Sequence, residues 1–123
     1  HGATSCWETW DGNSSLCHGW SAAPAAALPR YVLGVRPTAP GFACFDVRPH
    51  PAGLRFARGT VPTPHGPIQV DWRLKKDRSL VLTVKVPAGT VATLCPPRGY
   101  KGRSVRGGVG RHTVRFVWRA TSA

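Results

Sequence analysis

Gln69-Val70-Asp71-Trp72-Arg73-Leu74-Lys75-Lys76-Asp77-Arg78-Ser79-Leu80-Val81-Leu82-Thr83-Val84-Lys85-Val86 is a pair of alternating segments around a short polar run. Val70, Trp72 and Leu74 fall on one face of the first segment, and Gln69, Asp71 and Arg73 on the other. In the second, Leu82, Val84 and Val86 oppose Val81, Thr83 and Lys85. Successive side chains of a strand leave opposite faces, so period-two alternation marks a half-buried strand. Lys75 to Ser79 then reads as a hairpin loop. Two strands with one apolar face do not stand alone in water; that face needs a second layer.

Outward from this pair the same grammar continues. Phe42 to Val47, Leu54 to Val61, Ile68 to Leu74, Leu80 to Val86, Thr90 to Leu94 and Thr113 to Trp118 are short, rich in Val, Ile, Thr, Phe or Trp, and bounded by Gly, Pro or Asp. Thr63-Pro64-His65-Gly66-Pro67 and Pro87-Ala88-Gly89 supply turns between them. The expectation is an antiparallel β-sandwich of six to eight strands, with Trp72 and Trp118 as packing residues. Pro96 to Gly110 holds five glycines and reads as a surface loop around a short strand near Val105, or as a frayed region.

Before the strands lies a different texture. Ser21 to Leu33, Ser-Ala-Ala-Pro-Ala-Ala-Ala-Leu-Pro-Arg-Tyr-Val-Leu, is mostly good helix former, with Ser21 placed to cap it and Gly34 to end it. Pro29 removes an interior donor and clashes with the turn before it, so the helix is expected to kink or stop near Arg30. Residues 1–20 carry three of the five tryptophans, two of the five histidines and the single glutamate around the turn-forming run Asp11 to Ser15. Flat rings beside polar groups suit a sugar, whose ring offers an apolar face and a rim of hydroxyls.

The bulk properties bound the rest. At 123 residues the chain holds one ordinary domain with a short appendage, and the start at His1 reads as a cut point in something longer. Seventeen basic residues against five acidic ones raise the prior for an anionic partner, but most arginines fall singly among apolar and turn residues, as solvated strand faces would place them. A nucleic-acid binder needs clustered cations and exposed rings, and that pattern is missing from the sequence, so nucleic acid is disfavoured as a partner. No apolar run nears the ~18 residues that cross a bilayer, and no membrane partner is expected. Cys6, Cys17, Cys44 and Cys95 form no CxxC pair, and His50 and His65 are turn residues without neighbours at ligand spacing, so neither a metal nor another cofactor is expected. Four buried or half-buried thiols in a reducing, cytoplasmic compartment are the simplest reading of the cysteines.

Three ordered runs carry a resemblance: Gly2-Ala3-Thr4-Ser5-Cys6-Trp7-Glu8-Thr9-Trp10, Ser15-Leu16-Cys17-His18-Gly19-Trp20-Ser21-Ala22-Ala23-Pro24, and Arg30-Tyr31-Val32-Leu33-Gly34-Val35. Together they resemble the end of the catalytic domain of bacterial α-L-rhamnosidases. Arg48-Pro49-His50-Pro51 and Ala57-Arg58-Gly59-Thr60-Val61-Pro62-Thr63-Pro64-His65-Gly66-Pro67-Ile68 look like that family's C-terminal β-sandwich. The likeness covers most of residues 2–95; Ala26 to Pro29 and the stretch beyond Pro96 depart from it.

The resemblance implies a mainly β chain, an antiparallel sandwich (38–123) preceded by a loop and one helix left over from an (α/α)6 barrel (1–37). It implies an inverting glycoside hydrolase releasing terminal α-L-rhamnose from a rhamnose-containing glycoside, with Glu8 as general base and His18, Trp7 and Trp10 at the sugar. Inversion requires an acid at the leaving oxygen and a base holding water on the opposite face, about 6.5–9.5 Å apart. Asp11, three residues from Glu8, is not assigned the acid role. The acid is expected in the missing remainder of the barrel, and this chain is expected to be inactive alone. A non-catalytic carbohydrate-binding or structural sandwich is the alternative.

Overall fold

A computed structural model describes residues 2–11 and 13–119. Among these, nine strands form two sheets: β1 (Val35–Pro37), β2 (Cys44–Val47), β3 (Phe56–Val61), β4 (Ile68–Leu74), β5 (Leu80–Val86), β6 (Val91–Leu94), β7 (Tyr100–Lys101), β8 (Val105–Gly107) and β9 (Gly110–Trp118). One sheet has the order β1-β2-β6-β8, the other β3-β4-β5-β9-β7. The chain is mainly β, as the alternation predicts. The short strand expected near Val105 is β8, and the count rises to nine because β1 and β7 are three and two residues long, too short to show a period. Pairing is antiparallel except between β2 and β6, where Cys44 to Val47 run parallel to Val91 to Leu94. These two strands are far apart in sequence, and no hairpin constrains their direction.

The core lies between the sheets. The inward residues of β4 and β5, Ile68, Val70, Trp72, Leu80, Leu82, Val84 and Val86, are buried and meet Phe45, Val47, Ala92, Leu94 and Phe116. The β4–β5 hairpin pairs Gln69 with Lys85 and Leu74 with Leu80, so the alternation of both strands is in phase and one shared face is apolar. Trp72 is fully buried, and its indole Nε1–H donates to the Val32 carbonyl at 2.9 Å. Trp118 is half-buried at the rim, edge-on to Tyr100 with centroids 5.1 Å apart. Burial pushes the Tyr100 phenol above its ordinary value, with nearby Arg78 acting in the opposite direction.

The helix departs from expectation in two ways. A short 3-10 turn, Gly19–Ala22, leads into α1 (Ala23–Ala27), and His18 rather than Ser21 caps the start, its Nδ1 accepting from the Trp20 amide at 3.4 Å. Nor does Pro29 end the helix. The backbone widens to a π-helical stretch, Leu28–Leu33, and stops at Gly34, whose φ of 83° is left-handed. A wider turn relieves the clash a proline ring makes with the preceding α turn. Leu33 and Val35 then enter the core beside the sandwich residues, while α1 itself buries nothing. No helix among the described residues is long and apolar enough to cross a membrane.

The cysteines also correct the expectation in part. All four are free thiols, but only Cys95 is buried and Cys44 half-buried; Cys6 and Cys17 are exposed, because the loop that carries them has no core beneath it.

Candidate active site

Residues 5–8 and 15–18 run side by side as the two arms of a hairpin. The Glu8 amide donates to the Ser15 carbonyl at 2.9 Å, and the His18 amide to the Cys6 carbonyl at 2.7 Å. The Ser5 hydroxyl adds a bond to the Leu16 carbonyl, and the Ser15 hydroxyl one to the Cys17 carbonyl at 3.0 Å. The tip is organised by Asp11, whose Oδ1 accepts from the Thr9 hydroxyl at 2.6 Å and the Asn13 amide at 3.0 Å. A carboxylate that collects donors in this way closes a turn on itself. The Ser21 hydroxyl donates to the Trp7 carbonyl at 2.6 Å and ties the hairpin to the start of the helix.

This scaffold brings Glu8 and His18 together. Glu8 Oε2 accepts from the Ser15 amide at 3.1 Å, and Oε1 stands 4.0 Å from His18 Nε2. That separation is beyond hydrogen-bond length and leaves Oε1 available to a third partner. The His18 ring lies over Trp20 with centroids 4.1 Å apart, while Trp7 and Trp10 contact each other at 5.5 Å. Trp10 is 69% exposed and Trp20 64%, so the site is an open surface and not a closed pocket.

Chemically, a carboxylate fixed at one oxygen by a backbone donor and open at the other can accept a proton from a positioned water. Asp11 has the opposite character from an acid. The Thr9 hydroxyl, followed by the Asn13 amide, holds its carboxyl below the ordinary aspartate value and keeps it ionised. Sequence reasoning missed Ser15 and Ser21. Ser15 is legible only once the turn at Asp11 is seen to fold residue 15 back on residue 8, and Ser21 reads more naturally as a helix cap. Among the described residues no three His, Cys, Asp or Glu side chains gather as a metal site would require.

Comparison with known proteins places this architecture. The model of the bacterial alpha-L-rhamnosidase C-terminal domain matches residues 34–111, from the end of the helix to the start of the last strand. An alpha-L-rhamnosidase of Alteromonas sp. (strain LOR) is 34% identical over 113 residues, which cover 81% of this chain and 12% of that protein. Among solved structures, native α-L-rhamnosidase from Aspergillus terreus superposes with a TM-score of 0.79 at 26% identity, over 92% of this chain and 14% of that one. The alpha-L-rhamnosidase from Dictyoglumus thermophilum gives 0.77 at 20% identity, over 94% and 16%, a likeness of fold. This chain therefore spans a small part of the relatives it matches. With the family's domain matched over most of the sandwich and that identity extending along the chain, it belongs to the bacterial α-L-rhamnosidase C-terminal domain family.

Proposed function

We propose that this chain is the C-terminal segment of an inverting α-L-rhamnosidase, with Glu8 as the general base. The observation that carries the reading is the carboxylate itself: Oε2 is held by the Ser15 amide while Oε1 faces His18 across 4.0 Å. In the proposed reaction Oε1 takes the proton of a water attacking the anomeric carbon, on the face opposite the departing oxygen. His18 hydrogen-bonds the sugar, and Trp7 and Trp10 pack on its apolar face. The acid that protonates the leaving oxygen comes from an earlier part of the barrel. The substrate is a rhamnose-containing glycoside.

Residues 1–37 are then the end of the barrel and 38–123 the sandwich, a division by origin. Physically the two are joined, since Leu33 and Val35 lie in the sandwich core and β1 pairs with β2. The open tryptophans and the outward side of the helix, where Leu28 and Tyr31 are about half exposed, are where the rest of the barrel would sit.

Two measurements test this. The purified 123-residue chain should not release the phenol of an aryl α-L-rhamnoside; turnover above the uncatalysed rate would overturn the missing-acid reading. In the full-length enzyme, Glu8→Gln should lower kcat by about 10²–10⁴-fold with unchanged folding, and near-normal turnover would remove Glu8 from the mechanism. The alternative, a non-catalytic carbohydrate-binding module, is favoured by the complete core between the two sheets; it gains if the chain binds rhamnosides with Glu8 replaced.

A further inference from the structure

Strand register gathers cations that the sequence scatters. On the outer face of the five-stranded sheet, Thr60, Gln69, Lys85 and Arg111 form one row across β3, β4, β5 and β9. Arg58, Asp71, Thr83 and Thr113 form the next. A hollow of about 560 Å³ lies over these rows, lined among others by Arg58, Gln69, Asp71, Thr83, Lys85 and Arg111.

Lys85 and Arg111 stand directly opposite each other on neighbouring strands, an arrangement that like charge destabilises. Among the described residues no carboxylate forms an ion pair with either of them. Asp71 is the carboxylate at the hollow, and although Arg58 is its cross-strand neighbour, it pairs with Arg73 at 3.2 Å. Among the described residues the other carboxylate contacts of this kind are Asp77 with Arg115 and Glu8 with the His18 ring, so Arg58, Lys85 and Arg111 have no carboxylate partner.

We propose that this face binds an acidic oligosaccharide through its uronate carboxylates. Arginine forks match a carboxylate in plane and in donor spacing. Arg58 stands two strands across and two residues along from Lys85, roughly 12 Å apart at Cα, so the cations are spread over the face and suit a ligand that carries more than one charged group. Between the cations stand the hydroxyls of Thr60 and Thr83 and the amide of Gln69, the groups that bind sugar hydroxyls. No aromatic ring lines the hollow, which leaves no platform for a base to stack on. The face also lies on the other side of β3 from the helix that follows the Glu8 loop: the inward side of β3 meets that helix, with Leu33 Cδ1 2.7 Å from where a Cβ on Gly59 would stand. The proposal is independent of the role of Glu8.

Titration calorimetry of the 123-residue chain with trigalacturonic acid tests it. Binding should be detected at low salt and weaken as salt is raised. Lys85→Glu combined with Arg111→Glu should lower the affinity by about tenfold or more. Lys85→Glu alone should also weaken binding while leaving the thermal midpoint unchanged or raised, because it turns a repelling pair into an attracting one. Arg48→Glu with Arg98→Glu, at a second basic hollow that includes Arg36 and Arg119, should leave the affinity intact. No binding at low salt would overturn the proposal. So would equal weakening by the Arg48 and Arg98 pair, equal affinity for the fully methyl-esterified trisaccharide, or equal affinity for a single-stranded oligonucleotide.

Discussion

Gly34 and Gly59 separate two kinds of close approach. At Gly34 a Cβ would stand 2.0 Å from the Arg48 carbonyl oxygen, and φ is already left-handed at 83°. Neither the backbone nor the dihedral can yield, so Gly34→Ala should cost several kcal/mol, at or beyond the upper end of ordinary substitutions, about 3 kcal/mol. At Gly59 the obstacle is Leu33 Cδ1, the far end of a rotatable side chain, and Gly59→Ala should cost markedly less. Urea unfolding of the two variants checks the order; equal losses would refute it. Trp72→Phe removes the donor to the Val32 carbonyl and leaves that acceptor unpaired beside a smaller ring, for a loss of about 2–4 kcal/mol by the same assay. Trp72 was legible as a core residue from its place in the alternation. Its partner was not, because Val32 lies 40 residues earlier in a segment with a different period.

The β4–β5 hairpin was the most readable element because its two strands are long, alternate in phase and flank a polar loop. The loop then adds a pH dependence that no pattern shows. Asp77 accepts from the Ser79 hydroxyl at 2.7 Å and the Ser79 amide at 3.1 Å, and it meets Arg115 of β9. The Ser79 bonds first, and Arg115 after them, hold its carboxyl below the ordinary value of 3.8. A lowered folded-state value means stability that is present above the unfolded value and lost as pH falls through the folded one. The thermal midpoint should therefore fall on acidification below about pH 4, and Asp77→Asn should flatten that part of the curve. An unchanged acid limb in the variant would show that Asp77 does not contribute. The helix was the least readable element. Pro29 signals a break under α-helical geometry, and it is contacts with the sandwich, Leu33 packed on β3 and the Val32 carbonyl bonded by Trp72, that favour continuing through a wider turn.

Across the whole molecule, stability is unevenly distributed. None of the described residues before Ser21 is buried, whereas Leu33 and Val35 are core residues and Val35–Pro37 is a sheet edge. Deleting residues 1–20 should therefore leave the unfolding midpoint nearly unchanged, while deleting 1–37 should lower it steeply or abolish folding; calorimetry of both truncations decides. The charge was counted correctly in the sequence but its placement was not legible. Arg58, Lys85 and Arg111 are far apart along the chain and become neighbours only through the registers of four strands. The Glu8 site shows the converse: its motif is local, and the backbone bonds that bring Glu8 within 4.0 Å of His18 all lie within residues 5–18. The bond from Trp72 to Val32 has a spectroscopic consequence. Of five indoles, Trp72 alone is fully shielded while Trp10 and Trp20 face water, so its emission should be the bluest and the least quenched by iodide. Loosening the helix from the sandwich would shift that component red while the far-ultraviolet signal of the strands held, giving an optical reading of whether the Glu8 loop is still anchored.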